Sequence, residues 1–135
     1  MTNVHVTAEG GTKNQREFAT ELTCWYINKE LPRYKNLSVE IDLVKLDTHG
    51  YIDKVDNREF QIEINKKLKG DDFITCIFHE LTHMEQFLRN RLGINEDNDN
   101  IYYLDRAYEI DAYEKQEELL EEWKNETSKW NHNCT

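Results

Sequence analysis

The stretch His79-Glu80-Leu81-Thr82-His83 constrains this chain more than any other. It reads H-E-x-x-H, and the apolar spacing around it predicts a helix. Residues four apart on a helix project from one face, so His79 and His83 present their imidazoles together. Neutral imidazoles so placed can each reach a Zn²⁺ ion at about 2.0–2.1 Å. Glu80 lies about 100° round the helix from His79. Its carboxylate can therefore reach water beside the ion without ligating it. Two ligands and one general base on one helix are what metal-assisted hydrolysis needs. Paired helical histidines are also found as ordinary half-buried side chains. Here the flanks favour ligands: a wide apolar face from Phe73, Ile77, Phe78, Leu81, Met84, Phe87 and Leu88, and Asp71 as the predicted cap.

A catalytic zinc site takes three protein ligands and leaves a place for water. The third must come from elsewhere in the chain. The only histidine after His83 is His132, near the end. A carboxylate on the last helix is the alternative, and Tyr108-Glu109-Ile110-Asp111-Ala112-Tyr113 is the best stretch. Glu109 follows His83 by enough residues for a turn and an antiparallel return, and the small Ala112 would let the two helices approach closely. Cys76 could extend the set as Cys-x-x-His, but a buried small residue is the better reading. His5, His49 and His132 read as isolated surface residues. Asp97 and Asp99 lack the spacing and glycine of a calcium loop.

The rest of the chain supplies a frame for that helix. Residues 1–13 read as a loose lead-in. Asn14 with Glu17 resembles a capping box, and Phe18, Leu22, Trp25, Tyr26, Ile27 and Leu31 predict an amphipathic helix over 14–31, ended by Pro32. Leu37, Val39, Ile41 and Leu43 alternate with polar residues as a half-buried strand does. A weaker strand follows over 51–55, and Asp56-Asn57 suits a tight turn because both residues tolerate positive φ. A third strand spans 59–65. Gly93 marks the stop of the metal helix, 95–100 an acidic loop, and residues from about Leu104 a last helix, with 124–135 as a loose tail. Strands grouped before helices predict an α+β fold.

At 135 residues, with 38% hydrophobic and 33% charged residues, this is the balance of a single globular domain. The net charge is −10. Residues 96–126 alone carry twelve acids against three bases. With no basic surface, nucleic-acid binding is disfavoured. No apolar run approaches the ~20 residues of a membrane span. The start lacks a secretory pattern, and three cysteines fit reduced thiols, so a cytoplasmic location is expected.

His79-Glu80-Leu81-Thr82-His83 taken with Glu109-Ile110-Asp111-Ala112 resembles the gluzincin branch of the zinc metallopeptidases, over roughly residues 14–125. The short chain is similar to minimal gluzincins and to small ImmA/IrrE-type and phage-encoded metallopeptidases. The resemblance implies a zincin-like α+β fold: an N-terminal helix, a small three-stranded sheet, the metal helix, an acidic loop and a ligand helix. It implies zinc on His79, His83 and Glu109, with Glu109 rather than Asp111 as third ligand, and Glu80 as the base that activates a zinc-bound water against a peptide or protein substrate. It implies a transition-state donor among Tyr102, Tyr103 and Tyr108. It also implies that the strand before the metal helix, here Phe60, Gln61, Ile62 and Glu63, pairs with extended substrate. Thermolysin-like members carry an Asp four residues after the ligand Glu to orient a ligand His. This chain has Tyr113 there, so another group must serve that role. Two alternatives stand beside a metallopeptidase: a catalytically silent scaffold that binds a partner through its acidic last helix, and a latent protease covered by its own terminus.

Overall fold

The computed structural model describes residues 4–89 and the helix over 101–130, with the side chains of that helix from 107 to 127. The elements run β1 (Val4–Gly10), α1 (Lys13–Glu30), β2 (Leu37–Val44), β3 (Gly50–Asp56), β4 (Glu59–Asn65), α2 (Gly70–Leu88) and α3 (Ile101–Trp130). The class is α+β, with four strands rather than three. Residues 4–10, expected to be loose, form a strand paired in parallel with β2. The strand order is β1-β2-β4-β3. β4 runs parallel to β2, and β3 antiparallel to β4. The end of the chain differs too: residues 124–130 continue α3. The acidic loop at 95–100 and Gly93 lie outside the described residues.

Period-two alternation sets the layering. Leu37, Val39, Ile41 and Leu43 of β2 and Phe60, Ile62 and Ile64 of β4 are buried together on one face. Glu40, Asp42, Gln61 and Glu63 take the other, where Gln61 donates to Asp42 at 2.7 Å. α1 and α2 cover the apolar face, joined by Ala19, Leu22, Tyr26, Ile27, Ile77, Phe78 and Leu81. α2 has the sheet and α1 on one side and α3 on the other, which is why it is buried nearly all round.

The helix starts differ from expectation. Thr12 caps α1: its hydroxyl accepts from the Gln15 N–H at 3.1 Å, and the Gln15 side chain accepts from the Thr12 N–H at 2.9 Å. The capping box therefore sits ahead of Asn14, where the chain leaves β1 through Gly10 at φ 80°. A Cβ on Gly10 would lie 2.2 Å from the Leu43 carbonyl oxygen, so only glycine fits that turn. Asp71 does not cap α2, which begins at Gly70 with no side-chain cap. It pairs instead with Lys124 of α3 at 2.6 Å, while Asp71 and Asp72 still suit the positive helix end. The β3–β4 turn centres on Asn57-Arg58, and neither residue has positive φ; among the described non-glycine residues only Asn36 does.

Two kinds of contact hold α3. Leu119, Leu120 and Trp123 join the core, with Trp123 edge-on to Trp25 at 5.5 Å and against Phe18 at 6.1 Å. From 107 to 118 only Ala112 is buried, and the contacts are polar. Lys115 reaches Glu30 at 3.5 Å and Glu85 at 3.9 Å. Glu85 itself accepts from the Tyr26 hydroxyl at 2.7 Å and from Arg89 at 2.9 Å. No described helix is long and apolar enough to cross a membrane.

Candidate metal centre

His79 and His83 emerge on the face of α2 turned towards α3, as their spacing requires, and Glu109 meets them from α3. The two Nε2 atoms are 3.2 Å apart, His79 Nε2 is 3.1 Å from Glu109 Oε1, and His83 Nε2 touches the same oxygen. The histidine side chains are 11% and 12% exposed and that of Glu109 47%.

The partners of the far ring nitrogens favour a donor set over a hydrogen-bond network. Gln86 donates its amide to the Tyr108 carbonyl at 3.1 Å and to the Asp111 carboxylate at 3.0 Å. Its own oxygen must therefore face His83 Nδ1, at 2.8 Å, and accept a proton from it. On the other histidine, the Gln116 oxygen lies 2.9 Å from His79 Nδ1, with the Gln116 amide turned towards Glu117. A neutral ring protonated at Nδ1 has a bare lone pair at Nε2. Two such lone pairs and a carboxylate oxygen around one point form a group that could hold a metal ion. Ligands about 2.0–2.1 Å from a tetrahedral zinc lie roughly 3.3–3.4 Å apart, close to the 3.2 Å and 3.1 Å spacings around His79 Nε2, while His83 Nε2 and the Glu109 oxygen stand closer than that. Burial first, then the neighbouring His83, holds the His79 pKa below its usual value against the pull of Glu109 and Gln116, favouring the neutral ring a metal needs.

Glu80 lies beside these ligands and is buried. Desolvation pushes its pKa up to about 7; His83 opposes the shift and the Glu109 charge adds to it. A carboxyl poised there can exchange a proton near neutral pH. Cys76 is buried next to it, its thiol pKa raised by burial and by Glu80, which fits a packed side chain and not a ligand. Gly50 of β3 closes over both: a Cβ there would lie 2.8 Å from Cys76 Sγ and 3.2 Å from Glu80 Oε2.

All four residues line an open cleft of about 710 Å³, walled by residues 48–52 on one side and by Tyr113, Gln116 and Glu117 of α3 on the other. His49, expected to be isolated, is on its rim. The Tyr113 ring rests 4.6 Å from that of His79 and is 58% exposed. Tyr108 contributes its backbone carbonyl to Gln86, and its side chain does not line the cleft. The side chains of Tyr102 and Tyr103 lie outside the described residues.

The expected substrate strand is corrected. Phe60, Gln61, Ile62 and Glu63 belong to β4, which is paired on both sides, by β2 and by β3. Its backbone has no free edge, and Phe60 and Ile62 point into the core. The open edge beside the cleft is β3. Asn65 N–H donates to the His49 carbonyl, so by antiparallel alternation Tyr51 and Asp53 face β4 while Ile52 and Lys54 direct their N–H and C=O outward.

Gln86 and Gln116 escape a sequence reading, although the spacings are present: Gln86 follows His83 by one turn, and Gln116 follows Glu109 by two. No family model matches this chain, and no curated protein or solved structure matches it.

Proposed function

We propose that this chain is a zinc-dependent metallopeptidase of the gluzincin kind. The observation that carries the reading is the convergence of His79 Nε2, His83 Nε2 and a Glu109 oxygen, with a glutamine oxygen at each far ring nitrogen and Glu80 alongside. His79, His83 and Glu109 would hold the ion. When bound, Zn²⁺ supplies a Lewis acid that brings the pKa of water to near 7 and polarises a carbonyl.

The chain's own residues do the rest. Glu80 takes the proton of the attacking water and delivers it to the leaving amine, a role suited to a carboxyl that burial has brought to about 7. The Ile52 N–H and C=O pair with an extended substrate backbone, so the cleaved chain adds a strand to the open edge of the sheet. Tyr113, exposed in the cleft against His79, is the tyrosine best situated to donate to the developing oxyanion. Among the described residues the cleft carries Asp72 and Glu117 and no Lys or Arg, which suits a neutral or basic peptide.

The test is zinc content and cleavage of a peptide library by wild type and Glu80→Gln. One zinc per chain in both, with cleavage by wild type alone, supports the reading. Equal cleavage by both proteins removes Glu80 from its role, and absence of zinc from the reconstituted wild type removes the metallopeptidase.

A further inference from the structure

Resting on the zinc site just proposed, we propose that Gln86 and Asp111 form a positioning relay that fixes His83 as a metal ligand. Gln86 is 1% exposed, and its amide is fully engaged. The oxygen faces His83 Nδ1 at 2.8 Å, and the nitrogen faces the Tyr108 carbonyl at 3.1 Å and the Asp111 carboxylate at 3.0 Å. Turning the amide over would set its oxygen against a carbonyl and a carboxylate, two acceptors left without a donor. A buried polar group mismatched at two contacts costs more than any one hydrogen bond returns. The Tyr108 carbonyl and Asp111 together therefore dictate which way Gln86 points. Gln86 dictates that His83 carries its proton on Nδ1. That leaves the Nε2 lone pair aimed at His79 Nε2 and Glu109.

The relay also spans the two sources of ligand. Gln86 belongs to α2, which supplies both histidines, and its two acceptors belong to α3, which supplies Glu109. The position four residues after Glu109 holds Tyr113, so no acid there orients a ligand histidine. The orienting acceptor comes from α2 itself, through an amide, with the acid one link behind. His79 has no such backing: Gln116 is anchored only by a long 3.4 Å contact to Glu117.

The experiment measures zinc affinity by chelator competition in four proteins: wild type, Gln86→Leu, Asp111→Ala and the swap Gln86→Glu with Asp111→Asn. The His83 tautomer is read by nitrogen-15 NMR of the metal-free proteins, and thermal unfolding of the same samples reports structural damage. Outer partners of ligand histidines are worth about 10–100-fold in affinity. Gln86→Leu is expected to weaken zinc by that much, and Asp111→Ala by about tenfold. Both should lose the pure Nδ1–H tautomer at His83. The swap exchanges amide and carboxylate and keeps donor opposite acceptor at His83 and at position 111, but sets a carboxylate oxygen against the Tyr108 carbonyl, so it should keep the Nδ1–H tautomer at His83 and recover only part of the affinity. A structural role alone would lower the unfolding midpoint and leave the tautomer unmoved. Wild-type affinity in Gln86→Leu and Asp111→Ala, or loss of the Nδ1–H tautomer in the swap, overturns the relay while the zinc site stands. A wild type that binds no zinc overturns both.

Discussion

At the scale of single residues, the site divides by what holds each group. Glu109 is the one ligand proposed from α3, so Glu109→Ala should lower zinc affinity by about three orders of magnitude or remove binding, measured by chelator competition. Glu80 is different, since burial outweighs what His83 offers its charge. Its pKa stands at about 7 against the usual 4.5, so in metal-free protein the folded state holds a proton that the unfolded chain gives up. The stability this contributes is full below about pH 4.5 and is lost as pH rises through about 7, a change of about 3 kcal/mol at 1.36 kcal/mol per unit. Glu80→Gln should therefore raise the unfolding midpoint of chelated protein at pH 8 by about 5–10 °C and hardly change it at pH 4. Calorimetry at the two pH values decides it, and an equal change at both would show that the carboxyl is not held protonated. His79, Glu80 and His83 are legible in the sequence because a helix turns spacing into a shared face. Glu109 needs the packing of a second helix, and the stretch around it could be narrowed to two acids, no further. Gln86 and Gln116 were not legible. A helical glutamine acquires a role only when the element opposite it is known, and nothing local marks it.

At the scale of elements, the sequence shows which face of a strand is buried but not where the strand sits in the sheet. Phe60, Ile62 and Ile64 alternate cleanly, and β4 is the strand they predict. That alternation says nothing about neighbours, so the last strand before α2 looked like an edge when it is interior. The missing term was the parallel pairing of β4 with β2, which sets β4 between β2 and β3; β1 was missed as well. Val4, Val6 and Ala8 do alternate with His5, Thr7 and Glu9, a signal that is present but short and ends in two glycines. The open edge at β3 gives a prediction. Ile52→Pro removes an outward N–H that β4 does not use, and proline is tolerated on such edges. Zinc content should remain near one per chain while kcat/KM for peptides falls at least tenfold, the order of one lost main-chain hydrogen bond made in the transition state. A variant with unchanged kcat/KM would show that substrate does not pair with β3.

At the scale of the whole molecule, α3 is one helix with two kinds of attachment. Trp123, Leu119 and Leu120 fasten its later half through apolar burial, which persists without metal. The earlier half relies on Ala112 and on polar groups around the zinc ligands. A bound ion at 100 times its dissociation constant adds about 2.7 kcal/mol to the folded state, and the local effect should be uneven. Amide hydrogen exchange with and without chelator should show protection lost over residues 107–118 and kept over 119–127. Uniform loss across α3 would mean that the helix is held as one unit. The acidic stretch over 96–126 was legible as composition, and so was the α+β class. The division of α3 was not, because its periodic apolar residues run through both halves.

Thin apolar anchoring of the ligand-bearing half has a consequence for the life of the chain. Locally opened helices are what proteases cut first. A molecule stripped of its ion would thus be cleared sooner than a loaded one, so the steady-state amount of this protein would follow the supply of metal with no dedicated sensor.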